Sequence, residues 1–481
     1  MQAESLQLLQ AIDDGVAGVF EGVQARTFAA GEELVAEGAS LDRLLLVSSG
    51  VCRVSWQGLP ESQRPCLGPG SVIGDVSLLL GGVTRARIVA LESVDCLELP
   101  KASLEEVTRS NPALALRIYR ALASINAQRL IQQTHHLGLL QSPPFAEPKH
   151  LNARVGQSIR QFKDAAAAFE ADLRRTQRNP DLLVALKEAF RGVVLVVHEV
   201  FPALSGAEPA LDCASLQILR TELLPYLLLT RSAERMYRKP RGYAGDFLTI
   251  DWMYADEPGG AGELGVELDR CFLDEPAAQA VRNRRGLLRE ELQRSLDLCA
   301  ERPLRVTSLA CGPAAEIFDL LQDPQLASQL ELTLVDVDQQ ALDHVRARLD
   351  REQIEQHLPL PIRLERRNLL HLCIGRQRLE LKPQHLMYSI GLIDYFDDRI
   401  VTRLQAWIHQ SLVSGGRSIL GNFHPDNSTR GLMDQLLDWR LIHRDQADME
   451  RLAQAAGFAP GATEMRLEPA GVNLFAISTR G

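Results

Sequence analysis

The sequence predicts a multidomain chain: an N-terminal β-roll closed by a long helix (1–140), a helical middle segment (141–300) and a C-terminal doubly wound α/β domain (301–481). Three observations carry this. The chain has 481 residues, too many for one ordinary core. Residues 26–100 alternate short β-like runs with glycine turns. From Leu304 the pattern becomes strand, small-residue turn, helix and strand again, as in a parallel α/β sheet.

Bulk composition narrows the function classes. A hydrophobic share of 46% and a charged share of 24% are those of a soluble globular protein. Net charge is −10, which argues against a dedicated nucleic-acid binder. Met1-Gln2-Ala3-Glu4-Ser5 has no basic stretch leading into an apolar one, so no signal peptide and a cytoplasmic location are expected. Apolar runs such as "GVVLVVHEVF" and "LLPYLLLT" are too short to span a bilayer, so no integral membrane segment is expected. The eight cysteines form no CxxC pair, which points to reduced thiols and no metal site.

In the first region, a short N-terminal helical pattern precedes "EELVAEGAS", "RLLLVSSGVCRVS", "CLGPGSVIGDVSLLLGG" and "RARIVALES". Strands this short between turn residues suggest a small roll. Asn111 then reads as an N-cap and Pro112 as a first helical residue, with Leu114, Ile118, Leu122 and Ile125 as an apolar stripe. Residues 12–135 resemble the cyclic-nucleotide-binding domain of bacterial regulators and kinase regulatory subunits, chiefly through Gly74-Asp75-Val76-Ser77-Leu78-Leu79 and Arg85-Ala86. The resemblance implies Asp75 on a ribose hydroxyl and Arg85 on a cyclic phosphate. Asp75 is one methylene shorter than the family's Glu, and Arg87 stands where a small residue is usual. The competing reading is a retained scaffold for relay or for a homodimer through the 111–137 helix. No helix-turn-helix follows, so no DNA-reading head is predicted.

Ser142-Pro143-Pro144 and Pro148 mark a linker, followed by helical patterns around 152–177, 181–203, 213–235 and 274–300. Among them "ERMYRKPRGYAGDFLTIDWMY" (234–254) fits no amphipathic helix and reads as a constrained loop. Arg241, Tyr243 and Asp246 offer a cation, a phenol and a carboxylate there, either as a packed surface loop or as a lid over an acceptor site.

In the last region "VTSLACGPAAEIFDLL" (306–321) runs a strand into small residues and opens a helix. Such a corner brings backbone N–H groups close to a ligand. Asp336 ends the next strand 24 residues beyond Gly312, where a carboxylate accepts from a ribose diol. A P-loop Gly-Lys-Ser/Thr is absent, and Ala310, Gly312 and Ala315 match G-x-G-x-x-G poorly. Asp397-Asp398 read as helix caps, and Gly415-Gly416 as the close of the next helix.

Taken together, residues 300–481 resemble class I S-adenosylmethionine-dependent methyltransferases. The resemblance implies S-adenosyl-L-methionine as cofactor, held by Ala310, Gly312 and Glu316 of the first motif, Asp336 at the ribose, Asn368 and Leu369 beside the adenine, and Ser389 and Gly391 of a later strand. Ser308 and Ala314 depart from the motif, replacing an acid and a glycine. With "RKPRGYAGDF", "YSIGLIDYF", "GNFHP" and "DWRLIHR", the chain is also similar to a bacterial family assigned to 3-hydroxypalmitic acid methyl ester synthesis, which implies a lipid-derived small-molecule substrate and a quorum signal as product.

A carboxylate acceptor is already ionised at neutral pH and needs orientation rather than a strong base. Arg241, Tyr243, His424, Arg440 and His443 are candidates for that work, and His424 or Asp246 for a base toward an alcohol or amine. The catalytic set expected is therefore Tyr243, Asp246, Arg241 and His424, with His443 and Arg444 equally readable as surface residues. The opposing function is a nucleotide-responsive sensor that keeps a non-catalytic methyltransferase-like domain. The roll is expected to be separable from donor binding.

Overall fold

The structure is a computed structural model that describes residues 23–55, 64–81, 83–141, 153–175, 179–201, 213–352 and 362–481, without side chains at 127–141, 213–215 and 217. The N-terminal helical pattern and the linker at 142–148 lie outside the described residues.

The first region is a roll of two four-stranded antiparallel sheets. One pairs β1 (Gln24–Phe28), β8 (Val94–Pro100), β3 (Arg43–Ser49) and β6 (Val72–Ile73). The other pairs β2 (Glu33–Val35), β7 (Arg87–Ala90), β4 (Cys52–Ser55) and β5 (Cys66–Leu67). Strand β3 is apolar on both faces because one face meets the second sheet and the other meets helices. As the sequence predicts, Asn111 caps the helix Pro112–Gln141, its Oδ1 accepting from Leu114 N at 3.1 Å. Leu114, Ile118, Leu122 and Ile125 are all buried against Leu44, Leu46 and Leu99. The predicted stripe thus belongs to the roll's own core.

The middle region is helical but cut differently from the expected pattern. The segment expected as one helix over 213–235 is two, Cys213–Leu227 and Arg231–Arg238, because Thr230 starts the second by accepting from Ala233 N at 3.1 Å. The 234–254 segment is mostly helical rather than a long loop. Lys239, at φ 49°, ends one helix, and Asp246 caps the next, Phe247–Ala255, by accepting from Thr249 N at 3.0 Å. A helix not singled out in the sequence, Gly262–Leu273, follows. The helix Pro276–Leu298 divides its apolar stripe: Ala277, Ala280 and Val281 join the helical core, while Leu288, Leu292 and Leu296 pack under the C-terminal sheet.

The C-terminal sheet runs β11 (Arg363–Arg366), β10 (Leu330–Asp336), β9 (Leu304–Leu309), β12 (Gln384–Ser389), β13 (Leu412–Phe423), β15 (Asn473–Thr479) and β14 (Thr463–Leu467). The strands from β11 to β13 are parallel, as expected of a doubly wound fold. The last two are antiparallel, because a tight turn through Gly471 joins β14 to β15 with no crossover helix. Asp397 caps the helix Asp398–Ser411 as predicted. Gly415-Gly416, however, lie inside β13 rather than beyond a helix end, since the chain passes directly from Ser411 into the strand.

Candidate functional site

The corner between β9 and the helix Ala315–Leu321 carries the predicted turn. Ala310, Gly312 and Ala314 all take left-handed backbone conformations, at φ 54°, 53° and 50°. Two of these are non-glycine, a strain of order 1 kcal/mol each that the surroundings must hold. The restraints are visible. Cys311 N donates to Val335 O at 3.0 Å, and Gly312 N donates to Asp336 Oδ2 at 2.9 Å. A Cβ added at Gly312 would meet nothing within 4 Å, so the glycine faces open space.

That space is a cavity partly open to solvent. Its floor is the turn 310–313 with Glu316 and Asp336; Ile390, Gly391 and Leu392 beyond β12 form one side. Tyr243, Phe247, Ile250 and Tyr254 come from the middle region, Phe423 from the end of β13, Trp439 and Leu441 from beyond it, and Pro69 from the roll. Trp439 Nε1 donates to Tyr395 Oη at 2.8 Å, and a Cβ at Gly245 would crowd both rings at 3.1–3.2 Å. Gly245 is therefore needed for close aromatic packing.

Burial raises the acids that line the cavity. Asp336 accepts from Gly312 N and Asp338 N, yet burial and the nearby Asp338 charge push it up to about 6. Burial likewise lifts Asp394, which accepts from Phe423 N at 2.6 Å, to about 6. Glu316 is raised by burial and accepts from Tyr388 Oη at 2.9 Å. Burial pushes the Tyr243 phenol well above its usual range; its hydroxyl lies 3.3 Å from Asp338 Oδ2.

Of the predicted site residues, the structure brings Ala310, Gly312, Glu316, Asp336, Gly391 and Tyr243 together around the cavity. It gives the others different work. The Arg241 guanidinium is buried between Asp338 and Glu92 of the roll, donating to Glu92 at 2.7 and 2.8 Å, so it is not available to orient an acceptor. Asp246 is a helix cap paired with Arg235 at 2.7 Å, which removes it as a base. His424 is turned to Gln446 and Asp426 and lines no part of the cavity. Asn368 donates from Nδ2 to Ser48 O of the roll at 2.9 Å and caps the helix Leu369–Cys373, with Leu369 in the core under the sheet. Ser389 is buried and lines no part of the cavity. Arg440 is exposed and paired with Asp438. Arg444, readable as a surface residue, is fully buried; it donates to Ile393 O and Asn422 Oδ1 at 3.0 and 2.9 Å and pairs with Asp398.

The roll is part of this assembly. A Cβ at Gly68 would lie 2.4 Å from Arg241 O, so the two backbones meet only because residue 68 is glycine. Arg366 reaches Ser93 O and Asp95 of the roll, at 3.3 and 3.2 Å. With Pro69 in the cavity wall, these contacts revise the expectation that the roll is separable from donor binding.

The two folds define a composite protein, a β-roll set against a Rossmann-like sheet. Residues 25–111 match the family described as "Cyclic nucleotide-binding domain", and residues 242–480, just under half of the chain, match "Putative methyltransferase". The chain carries a methyltransferase domain beside a cyclic nucleotide-binding domain. It is 33% identical over 134 residues to glutaminase 2 of Bradyrhizobium diazoefficiens, a match covering 28% of this chain and 21% of that protein's length. The chain thus spans about a fifth of that curated relative.

Solved structures with similar folds include a "possible exported protein" of Bordetella parapertussis, at 20% identity and a TM-score of 0.45, covering 71% of this chain and 99% of that one. Magnesium protoporphyrin IX methyltransferase from Synechocystis, solved with SAH bound, is 11% identical with a TM-score of 0.34, over 43% of this chain and 87% of its own. A cyclic nucleotide-binding domain from Methylobacillus flagellatus is 19% identical with a TM-score of 0.25, over 30% and 89%. All three likenesses are weak and carry no functional weight.

Proposed function

We propose that this protein is an S-adenosylmethionine-dependent methyltransferase that methylates a carboxyl oxygen of an apolar, lipid-derived acid, with the roll as a docked regulatory element. The observation that supports it best is the cavity at the Gly312 corner, where a ribose-type acid, open space beside a glycine and an apolar wall meet. The residues fit the donor: Asp336 keeps acceptor capacity beyond its two backbone hydrogen bonds, and no Cβ fills the space at Gly312. Asp336 would hold the ribose, with Ala310, Gly312, Glu316 and Gly391 around the rest. When bound, the donor supplies a methyl carbon made electrophilic by its sulfonium.

A carboxylate oxygen accepts that methyl with no proton to remove, so the chain's part is to orient the acid and exclude water. Phe247, Ile250, Val281, Leu392 and Leu441 suit an alkyl chain. Were the acceptor an alcohol, Asp394, poised near 6 in the wall, is better placed as base than His424 or Asp246. A 3-hydroxy fatty acid, and a quorum signal as its methyl ester, is the finer form of this reading. A homodimer through 111–137 would use faces such as the exposed Leu116, since the predicted stripe is buried. Cyclic nucleotide binding by the roll also belongs to the proposal: Asp75 is buried and engaged by Asn126 Nδ2 at 3.1 Å, while Arg85 is exposed.

The test incubates the protein with methyl-labelled donor and a bacterial lipid extract. Label that enters an apolar product and leaves as methanol on alkaline hydrolysis supports an ester. Label in an alkali-stable product would move the acceptor to a hydroxyl or amine. No transfer, with no donor binding by calorimetry, would favour the non-catalytic sensor.

A further inference from the structure

The helix Pro276–Leu298 carries two ionisable residues on its buried stripe, Arg284 and Glu291, and the structure treats them in opposite ways. Glu291 is fully buried and doubly neutralised, paired with Arg417 on one side and Arg466 on the other. Arg284 is 5% exposed, yet no carboxylate of the described residues lies within 4.0 Å of it. Among the described residues its one hydrogen bond is from Nε to Tyr254 Oη, at 3.3 Å. The ends of the guanidinium point toward Gly391, where an added Cβ would sit 3.0 Å from one terminal nitrogen and 3.4 Å from the other. Both Arg284 and Gly391 line the cavity.

A buried guanidinium without a counter-ion is costly, since desolvation is not offset by an ion pair. A planar fork of donors facing a cavity is the geometry that receives a carboxylate through two parallel hydrogen bonds. Glu316 and Asp394 line the same cavity and feel the Arg284 charge, but neither closes on it; one oxygen of each is taken, by Tyr388 Oη and by Phe423 N, and the other keeps acceptor capacity. We propose that Arg284 is the carboxylate anchor of this cavity, completing its ion pair only when a ligand brings an anion to Gly391. This deepens the reading above and rests on it.

Two carboxylates fit that chemistry: the amino-acid end of the methyl donor and the acid group of the acceptor. The acids around the guanidinium suit a group bearing both charges, because they can receive an ammonium beside the anchored carboxylate. Gly391 is part of the same device: any side chain there would push against the guanidinium.

The experiment is calorimetry on the full chain and on Arg284→Met, with Arg284→Lys as a charge-retaining control and thermal unfolding to check folding. Two pairs of probes separate the sources: S-adenosylhomocysteine against 5′-methylthioadenosine, which lacks the amino-acid end, and palmitate against hexadecanol. If the donor's carboxylate is anchored, Arg284→Met weakens S-adenosylhomocysteine about tenfold or more and leaves methylthioadenosine unchanged. If the acceptor's is anchored, palmitate weakens by a similar factor and hexadecanol does not. Arg284→Lys should recover part of either loss. A folded Arg284→Met that binds every probe as the wild type does overturns the anchor while the methyl-donor reading stands. A wild type that binds neither nucleoside overturns that reading, and the anchor with it. Should Arg284→Met fail to fold, Gly391→Ala gives the same comparison: unchanged affinities for all probes would overturn the proposal.

Discussion

The chain holds two corners built on the same plan, a glycine beside an acid next to a short helix, and they are filled in opposite ways. In the roll, Gly74 sits at φ 92° and its Cβ position is blocked by Leu41 and Arg43, while Asp75 is bonded by Asn126 of the roll's own long helix. In the catalytic sheet, Gly312 at φ 53° faces open space, and Asp336 is fixed by backbone N–H groups that leave lone pairs toward the cavity. A motif therefore marks a place in a fold. Whether its acid is available depends on what the rest of the chain packs against it.

Removing each acid should break the comparison most sharply. Asp336→Ala loses charge-assisted hydrogen bonds worth about 1.5–3 kcal/mol, so S-adenosylhomocysteine affinity measured by calorimetry should fall about tenfold or more. Asp75→Ala should leave that affinity unchanged and lower the melting temperature instead, because Asn126 loses a partner. Equal effects of the two on donor affinity would erase the distinction.

Acid should separate binding from stability. Asp336 and Asp394 titrate near 6 in the folded chain against 3.8 for an ordinary Asp, so between those values the folded state holds protons that the unfolded state lacks. Their contribution to stability therefore grows as pH falls from about 7 toward 5. Glu291, held below its ordinary 4.5 by Arg417 and Arg466 against its burial, opposes this only at lower pH. Donor affinity, which needs ionised Asp336, should fall across the same window. A parallel loss of affinity and melting temperature between pH 7 and 5 would mean unfolding, not titration of the site.

The roll's hold on the cavity gives a middle-sized effect. A chain beginning near Ala146 leaves Arg241 without Glu92, Asn368 without Ser48 and the cavity without Pro69, so it should bind S-adenosylhomocysteine several-fold more weakly than the full protein. Glu92→Gln should produce part of that loss. Full affinity in a folded truncation would restore the roll as an independent unit.

Smaller still is Tyr243→Phe, which removes one hydroxyl from the wall beside Asp338. Turnover on the true acceptor should drop by less than about tenfold, with donor affinity and stability nearly unchanged. Arg85→Ala, at an exposed position, should shift the melting temperature least of all. It bears only on nucleotide binding by the roll, read by titration with cyclic AMP and cyclic GMP; binding unchanged from the wild type would take Arg85 out of that site.

By itself the sequence determined what depends on near neighbours along the chain: the roll's short strands, the Asn111, Asp246 and Asp397 caps, the β9 turn with Asp336 at the end of β10, and the alternation of strand and helix that makes the sheet parallel. Each is written in spacing, in turn residues or in a cap one helical turn from its partner. Only the tertiary structure decided which polar groups remain free. Arg241 and His424 look available in sequence, but distant acids and Gln446 occupy them. Arg284 carried one legible signal, a cation at the apolar spacing of Ala277, Ala280, Val281 and Leu288, shared with Glu291 a few turns on. Pattern cannot say that Glu291 finds two arginines, from β13 and β14, while Arg284 finds a cavity. The ion pairs of Glu291 join residues more than a hundred positions apart, and only folding brings those together.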